Sequence, residues 1–174
     1  MATRRETESV RERGTMTRRA ALRTLAAAGA AVAGTGAYGF LYGRHELDVT
    51  RIAVSVRGLP ATLSGLRVGF LSDVHRSRWV SHDDVTSAVG ALMAERPELI
   101  ILGGDYVTWG DREFVQPAAE ALAALSAPQG VFGILGNHDD DHDMPAALAR
   151  RGIEMLRDAR TRITIRNEIV DLVG

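Results

Sequence analysis

The chain reads as an α/β protein built on a parallel sheet, and three observations lead there. Short apolar runs at 66–71, 99–102 and 131–135 are separated by segments of helical period. The runs are largely continuous rather than alternating, as in strands buried on both faces. Each run also ends on a cluster of small and polar residues that includes potential metal donors. With right-handed crossovers, strand–helix–strand–helix–strand order brings all three ends to one edge of the sheet.

Composition narrows the possibilities. The 174 residues are enough for one cored domain plus a tail, and 45% apolar with 25% charged content is ordinary for a globular protein. Charge is unevenly spread: Met1 to Asp48 carries eight arginines against five acids, and Arg51 onward thirteen against seventeen. A mildly acidic globular part argues against a basic nucleic-acid face, so no nucleic-acid partner is expected. The absence of cysteine excludes a disulfide framework, a thiolate nucleophile and a Cys-ligated zinc site.

Residues 1–15 are polar and aperiodic and are expected to be a disordered tail. Residues 16–44 hold Arg18-Arg19 followed by an uncharged run from Thr24 to Tyr42, similar to a twin-arginine export signal or a membrane anchor. Gly29, Gly34, Gly36 and Gly39 would weaken a helix there, and Ala31-Val32-Ala33 has the small-residue character of a cleavage site. The run is also close to membrane-spanning length.

From His45 to Val56 the pattern is strand-like, with Val49, Ile52, Val54 and Val56 mostly alternating. The run 66–71 follows turn residues Ser64-Gly65 and ends at Ser72-Asp73-Val74-His75. Period two at a strand end would turn Asp73 and His75 to the same side. Ser81-His82-Asp83-Asp84 is a capped helix start, Val85, Ala88, Val89 and Leu92 give the apolar face, and Arg96-Pro97 ends it. The run 99–102 ends at Gly103-Gly104-Asp105-Tyr106, where the glycines suit close backbone approach. A second helix is expected over 117–125 and a third over 144–151, with Pro145 in its first turn and Gly152 as its stop. Residues 153–156, 162–166 and 169–173 are strand-like.

The run 131–135 leads directly into Gly136-Asn137-His138-Asp139. Alone, this tetrapeptide is also plausible turn chemistry. Together with Asp73, His75 and Asp105 it offers carboxylate, imidazole and amide donors at three successive strand ends. That mixture suits Mn, Fe or Zn better than Ca.

Asp73-x-His75, Gly104-Asp105 and Gly136-Asn137-His138-Asp139 resemble the calcineurin-like metallophosphoesterases in order, spacing and strand context. With the leader, the chain is most similar to an exported, membrane-associated bacterial subgroup. The resemblance implies two divalent ions: Asp73 and His75 on the first, Asp105 bridging both, and Asn137 on the second. It implies that His138 meets the phosphate and the leaving oxygen rather than a metal, and that Asp139 orients His138 or a neighbouring backbone group. The implied fold is the N-terminal half of a four-layer α/β/β/α sandwich, over 45–174.

The family pattern continues with a further histidine and a Gly-His-x-His element that this sequence lacks. The expectation is therefore a phosphoesterase domain truncated at its C-terminus, poorly active alone, with the second sheet largely missing. The implied activity is metal-dependent phosphoester hydrolysis outside the cytoplasm or at the membrane. The implied partners are a phosphoester substrate, lipid- or envelope-linked among the options, and the twin-arginine export machinery. A non-catalytic scaffold that keeps the strand-end loops is the alternative. A dinucleotide or P-loop binder is set aside because no such glycine motif occurs. Asp140-Asp141-His142-Asp143 reads as a solvated acidic loop. Trp79, Trp109 and Tyr106 lie near the donor-bearing loops as wall or packing residues.

Overall fold

The three apolar runs are parallel strands in the computed structural model, which describes residues 17–41 and 43–174. The expected tail at 1–15 lies outside the described residues. The chain divides into two units, Met1–Glu46 and Leu47–Gly174.

The first unit is the helix α1 (Arg18–Leu41) followed by a 3-10 turn, Gly43–His45. Thr17 opens α1, its hydroxyl accepting the Ala20 amide at 3.2 Å. The four glycines do not prevent the helix, because alanine, the strongest helix former, fills most of the positions between them. At 24 residues α1 is about 36 Å long. Still, no helix among the described residues is long and apolar enough to cross a membrane. The run that looked close to spanning length has the length without the apolarity, being rich in Ala, Gly and Thr rather than Leu, Ile and Phe.

The second unit holds a four-stranded parallel sheet of β1 (Val68–Leu71), β2 (Leu99–Leu102), β3 (Val131–Gly133) and β4 (Ile153–Met155), in that spatial order. The connections carry α2 (His82–Ala94), α3 (Val115–Ala121) and α4 (Met144–Ala149). Because the strand order never reverses, right-handed crossovers put every connecting helix on the same face. Packing agrees: Val85 and Val89 of α2, Val115 of α3 and Met144 and Leu148 of α4 share one core with Ile100, Leu102, Val131 and Ile153.

The opposite face takes a two-stranded antiparallel hairpin, β5 (Arg160–Ile165) and β6 (Glu168–Val173). Ile163, Ile165, Val170 and Leu172 pack on Leu99, Ile101 and Phe132. The two faces divide β2 by parity, Leu99 and Ile101 one way, Ile100 and Leu102 the other, as a doubly buried strand requires. A helical layer, a parallel sheet and a two-stranded second sheet are consistent with the N-terminal half of a metallophosphoesterase fold. The hairpin turns through Arg166 and Asn167, both at positive φ (50° and 68°), as a type I′ turn demands. Arg166 then fastens the hairpin to the sheet, pairing with Glu98 at 2.9 and 3.0 Å and donating to the Thr62 and Ser64 carbonyls.

One strand expectation fails. None of residues 46–56 is part of a strand, and Arg57 and Gly58 form a turn. Ile52, Val54 and Val56 are exposed, so the apolar alternation has no sheet to bury it here. Arg51 instead reaches α2, forking onto Glu95 at 2.8 and 2.6 Å.

The start of α2 behaves as expected. Ser81 Oγ accepts the Asp84 amide at 3.1 Å, and the Asp84 carboxylate accepts the Ser81 amide at 2.8 Å, a complete capping box. Ser81→Ala is expected to lower stability by about 1 kcal/mol in urea unfolding, with Ser81→Asp restoring most of it.

Candidate metal centre

The carboxyl ends of β1, β2 and β3 are stitched together before any metal donor is considered. Backbone amides of Asp73, His75 and Arg76 donate to the carbonyls of Gly104, Asp105 and Tyr106 at 3.1, 2.9 and 2.8 Å, continuing the β1–β2 ladder into the loops. The loops after β2 and β3 share one short backbone bond, the Gly110 amide donating to the His138 carbonyl at 2.7 Å, and are otherwise joined through side chains. Asp139 Oδ1 accepts the amides of Tyr106 (2.7 Å) and Val107 (3.2 Å), and its Oδ2 accepts those of Asp105 and Gly136 (both 2.9 Å). Asp105 answers in the other direction, its Oδ1 accepting the His138 amide at 2.9 Å.

Such close approach leaves no room for a Cβ. One added at Gly136 would fall on Asp105 Oδ1, and one at Gly104, where φ is 91°, on the Gly136 amide.

Asp73, His75 and Asp105 converge, with one ligand atom from each within 4.8 Å of the others. Strand alternation is not what brings the first two together. Both lie past the end of β1 in left-handed backbone, at φ 56° and 47°, and Asp105 matches them at 56°. Non-glycine residues adopt this conformation rarely, and loops hold it only where surrounding contacts impose it.

His75 Nδ1 lies 3.2 Å from the Val107 carbonyl, which only accepts, so the ring hydrogen belongs on Nδ1. Nε2 is then the donor atom, 3.8 Å from Asp105 Oδ2. Two carboxylates beside an imidazole lone pair repel one another unless a cation lies among them, so charge and donor chemistry both fit a divalent ion.

Asn137 and His138 sit on the adjoining loop. Asn137 is exposed. The His138 ring meets the His75 ring edge-on at 5.0 Å, and its Nδ1 accepts the Trp109 amide at 3.2 Å. A neutral His138 therefore carries its hydrogen on Nε2. Trp109 itself stands at φ 53°, a rare conformation for a bulky residue, and its indole lies 4.5 Å from the His138 ring.

Tyr106 is packing and not wall: it is buried, with its hydroxyl on the Ile134 carbonyl at 2.9 Å. Burial, and then the Asp139 charge, push its ionisation well above the ordinary phenol range.

Asp140, His142 and Asp143 form a second donor grouping at the start of α4. Asp140 Oδ1 accepts the amides of His142 and Asp143, and Arg112 pairs with Asp143. The Arg112 guanidinium, followed by His142, holds the Asp143 carboxyl below its usual range. These contacts close a polar turn, in keeping with the acidic-loop reading.

Fold and donors together define an α/β protein with a metal-competent site at the carboxyl edge of a parallel sheet. The chain belongs to the calcineurin-like phosphoesterases, whose family profile matches residues 66–168. It is similar to the phosphodiesterase YaeI of Escherichia coli, 28% identical over 87% of this chain and 58% of that one. The uncharacterised metallophosphoesterase YkuE of Bacillus subtilis is 30% identical over 71% of this chain and 45% of its own. The UDP-2,3-diacylglucosamine pyrophosphatase LpxG of Chlamydia trachomatis is 30% identical over 53% of this chain and 28% of its own. The chain thus spans little more than half of YaeI and less of the other two. No solved structure matches it.

Two outcomes follow from the site's construction. Asp139→Asn exchanges a four-amide acceptor for a group that turns its own N–H donors toward some of those amides. It is expected to cost about 3 kcal/mol in urea unfolding. For Tyr106, the folded state holds a proton that the unfolded chain releases above pH about 10, so stability falls as pH rises through that range. Thermal unfolding between neutral and strongly alkaline pH should show this fall, and Tyr106→Phe should reduce it.

Proposed function

We propose that this chain carries the metal-binding half of a phosphoester hydrolase active site. The observation that supports the reading most is the convergence of Asp73, His75 and Asp105, with His75 Nε2 left as a free donor, at the edge where Asn137 and His138 also stand. In this reading Asp73 and His75 hold one divalent ion, Asp105 lies between two, and Asn137 holds the second. Mn, Fe and Zn suit the mixed donors best. When bound, such ions supply Lewis-acid charge to the phosphoryl oxygens and make water more acidic.

The remaining work falls to the chain. His138, with Nδ1 engaged by Trp109, presents Nε2–H to the phosphate and stabilises charge on the leaving oxygen. Asp139 and Asp105 hold the loop that carries His138 in place.

Likeness to a named phosphodiesterase and a named pyrophosphatase supports a substrate with a phosphodiester or pyrophosphate linkage, lipid- or envelope-linked among the options. Arg18-Arg19 at the start of α1, followed by an Ala- and Gly-rich stretch, supports export by the twin-arginine route and action outside the cytoplasm.

Calorimetric titration with Mn²⁺ or Zn²⁺ is the test. Binding is expected in the native chain, abolished by Asp105→Ala and weakened at least tenfold by Asn137→Ala. His138→Gln should keep metal affinity and weaken inorganic phosphate binding to the metal-loaded protein by roughly tenfold. Absence of metal binding by the native chain would favour the scaffold reading.

A further inference from the structure

Beside His138 the surface opens into a cleft of about 380 Å³ that the reading above does not use. Its walls continue two of the donor-bearing loops: Ser77, Arg78 and Trp79 follow His75, and Thr108, Trp109 and Asp111 follow Asp105. The chain contains two tryptophans, and both line this cleft. Trp79 is 65% and Trp109 84% exposed.

Neither indole is placed there by burial in the core. Trp109 is moreover held in left-handed backbone, with its amide on His138 Nδ1 and its ring against the imidazole. An exposed, bulky aromatic in a rare backbone conformation beside a reactive group points to ligand contact rather than folding.

We propose that this cleft receives a flat, nucleobase-like ring carried by the phosphoester, stacked on the indoles while its phosphate faces His138. The proposal rests on the phosphoester reading and adds a substrate class to it. Indole faces are sequence-tolerant stacking platforms for heterocycles. The rim supplies what a heterocycle edge needs: hydroxyls at Ser77 and Thr108, a carboxylate at Asp111 and a guanidinium at Arg78. Phe114 adds a further aromatic side chain to the lining, and the polar rim groups give a heterocycle edge partners that an acyl chain would leave unused.

The two indoles also report on their own occupancy through intrinsic fluorescence. AMP, adenosine and ribose 5-phosphate are titrated into the native chain with and without Zn²⁺. AMP is expected to quench emission and to bind the zinc-loaded protein at least tenfold more tightly than ribose 5-phosphate, which has the phosphate and no base. Trp79→Ala should weaken AMP about tenfold and leave ribose 5-phosphate unchanged. Trp109→Ala should weaken AMP similarly, with Trp109→Phe retaining most of the affinity and circular dichroism confirming that each variant is folded.

Equal affinity for AMP and ribose 5-phosphate, or emission unchanged by AMP and adenosine alike, would overturn the cleft assignment while leaving the metal site standing. Quenching by adenosine with no zinc-dependent phosphate binding would support the cleft and remove the phosphoester reading instead.

Discussion

The Asp139 carboxylate is the contact on which the site's geometry depends. Loops beyond strand ends are entropically expensive to order, at about 1–2 kcal/mol per residue. A ladder of backbone bonds orders the β1 and β2 loops, but between the β2 and β3 loops there is one such bond, from the Gly110 amide to the His138 carbonyl, in place of a ladder. Asp139 supplies the connection by gathering amides from Asp105, Tyr106, Val107 and Gly136 onto one charged group. Bonds to a charged acceptor are worth more than neutral ones, about 1.5–3 kcal/mol each. Asp105 returns the tie through the His138 amide, so the Asp105 carboxylate and the His138 ring are fixed by the same pair of loops.

The topology makes that edge usable. Sequential strand order keeps α2, α3 and α4 on one face and leaves the other for the β5–β6 hairpin. With both faces covered, the strand ends stay open to solvent, and polar donors accumulate there because core packing has no claim on them. Asp73, His75, Asp105 and Trp109 at this edge all share left-handed backbone. Gly104 and Gly136 let the loops approach closely enough for this arrangement to close.

Much of this was legible from residues alone, for identifiable reasons. Continuous apolar runs bounded by turn residues mark buried strands, and Ser81 with Asp84 marks a helix start. Asp73, His75 and Asp105 are legible as candidate metal donors because each comes shortly after an apolar strand run. Other features depend on tertiary contact and leave weaker traces. That one acid of the run 139–141 gathers four amides is not written in its spacing. The His45 to Val56 alternation suggested a strand, yet a strand needs a partner, and the pattern does not say whether one is there. Arg166-Asn167 lacks the glycine that usually signals a type I′ turn. Trp109 gave no sign of positive φ, since bulky residues are the least expected there. The glycines of α1 argued against a helix that surrounding alanines sustain.

The site stands or falls on which donor grouping takes the metal. Asp73, His75 and Asp105 present an imidazole nitrogen oriented by a carbonyl, whereas Arg112 already pairs with both carboxylates of the second grouping, Asp140 and Asp143. The most direct measurement is an anomalous-difference map from crystals grown with Mn²⁺. The account predicts a peak among His75 Nε2, Asp73 and Asp105, with a second between Asp105 and Asn137. A map with no peak at that edge, or with its peak at Asp140, His142 and Asp143, would contradict it.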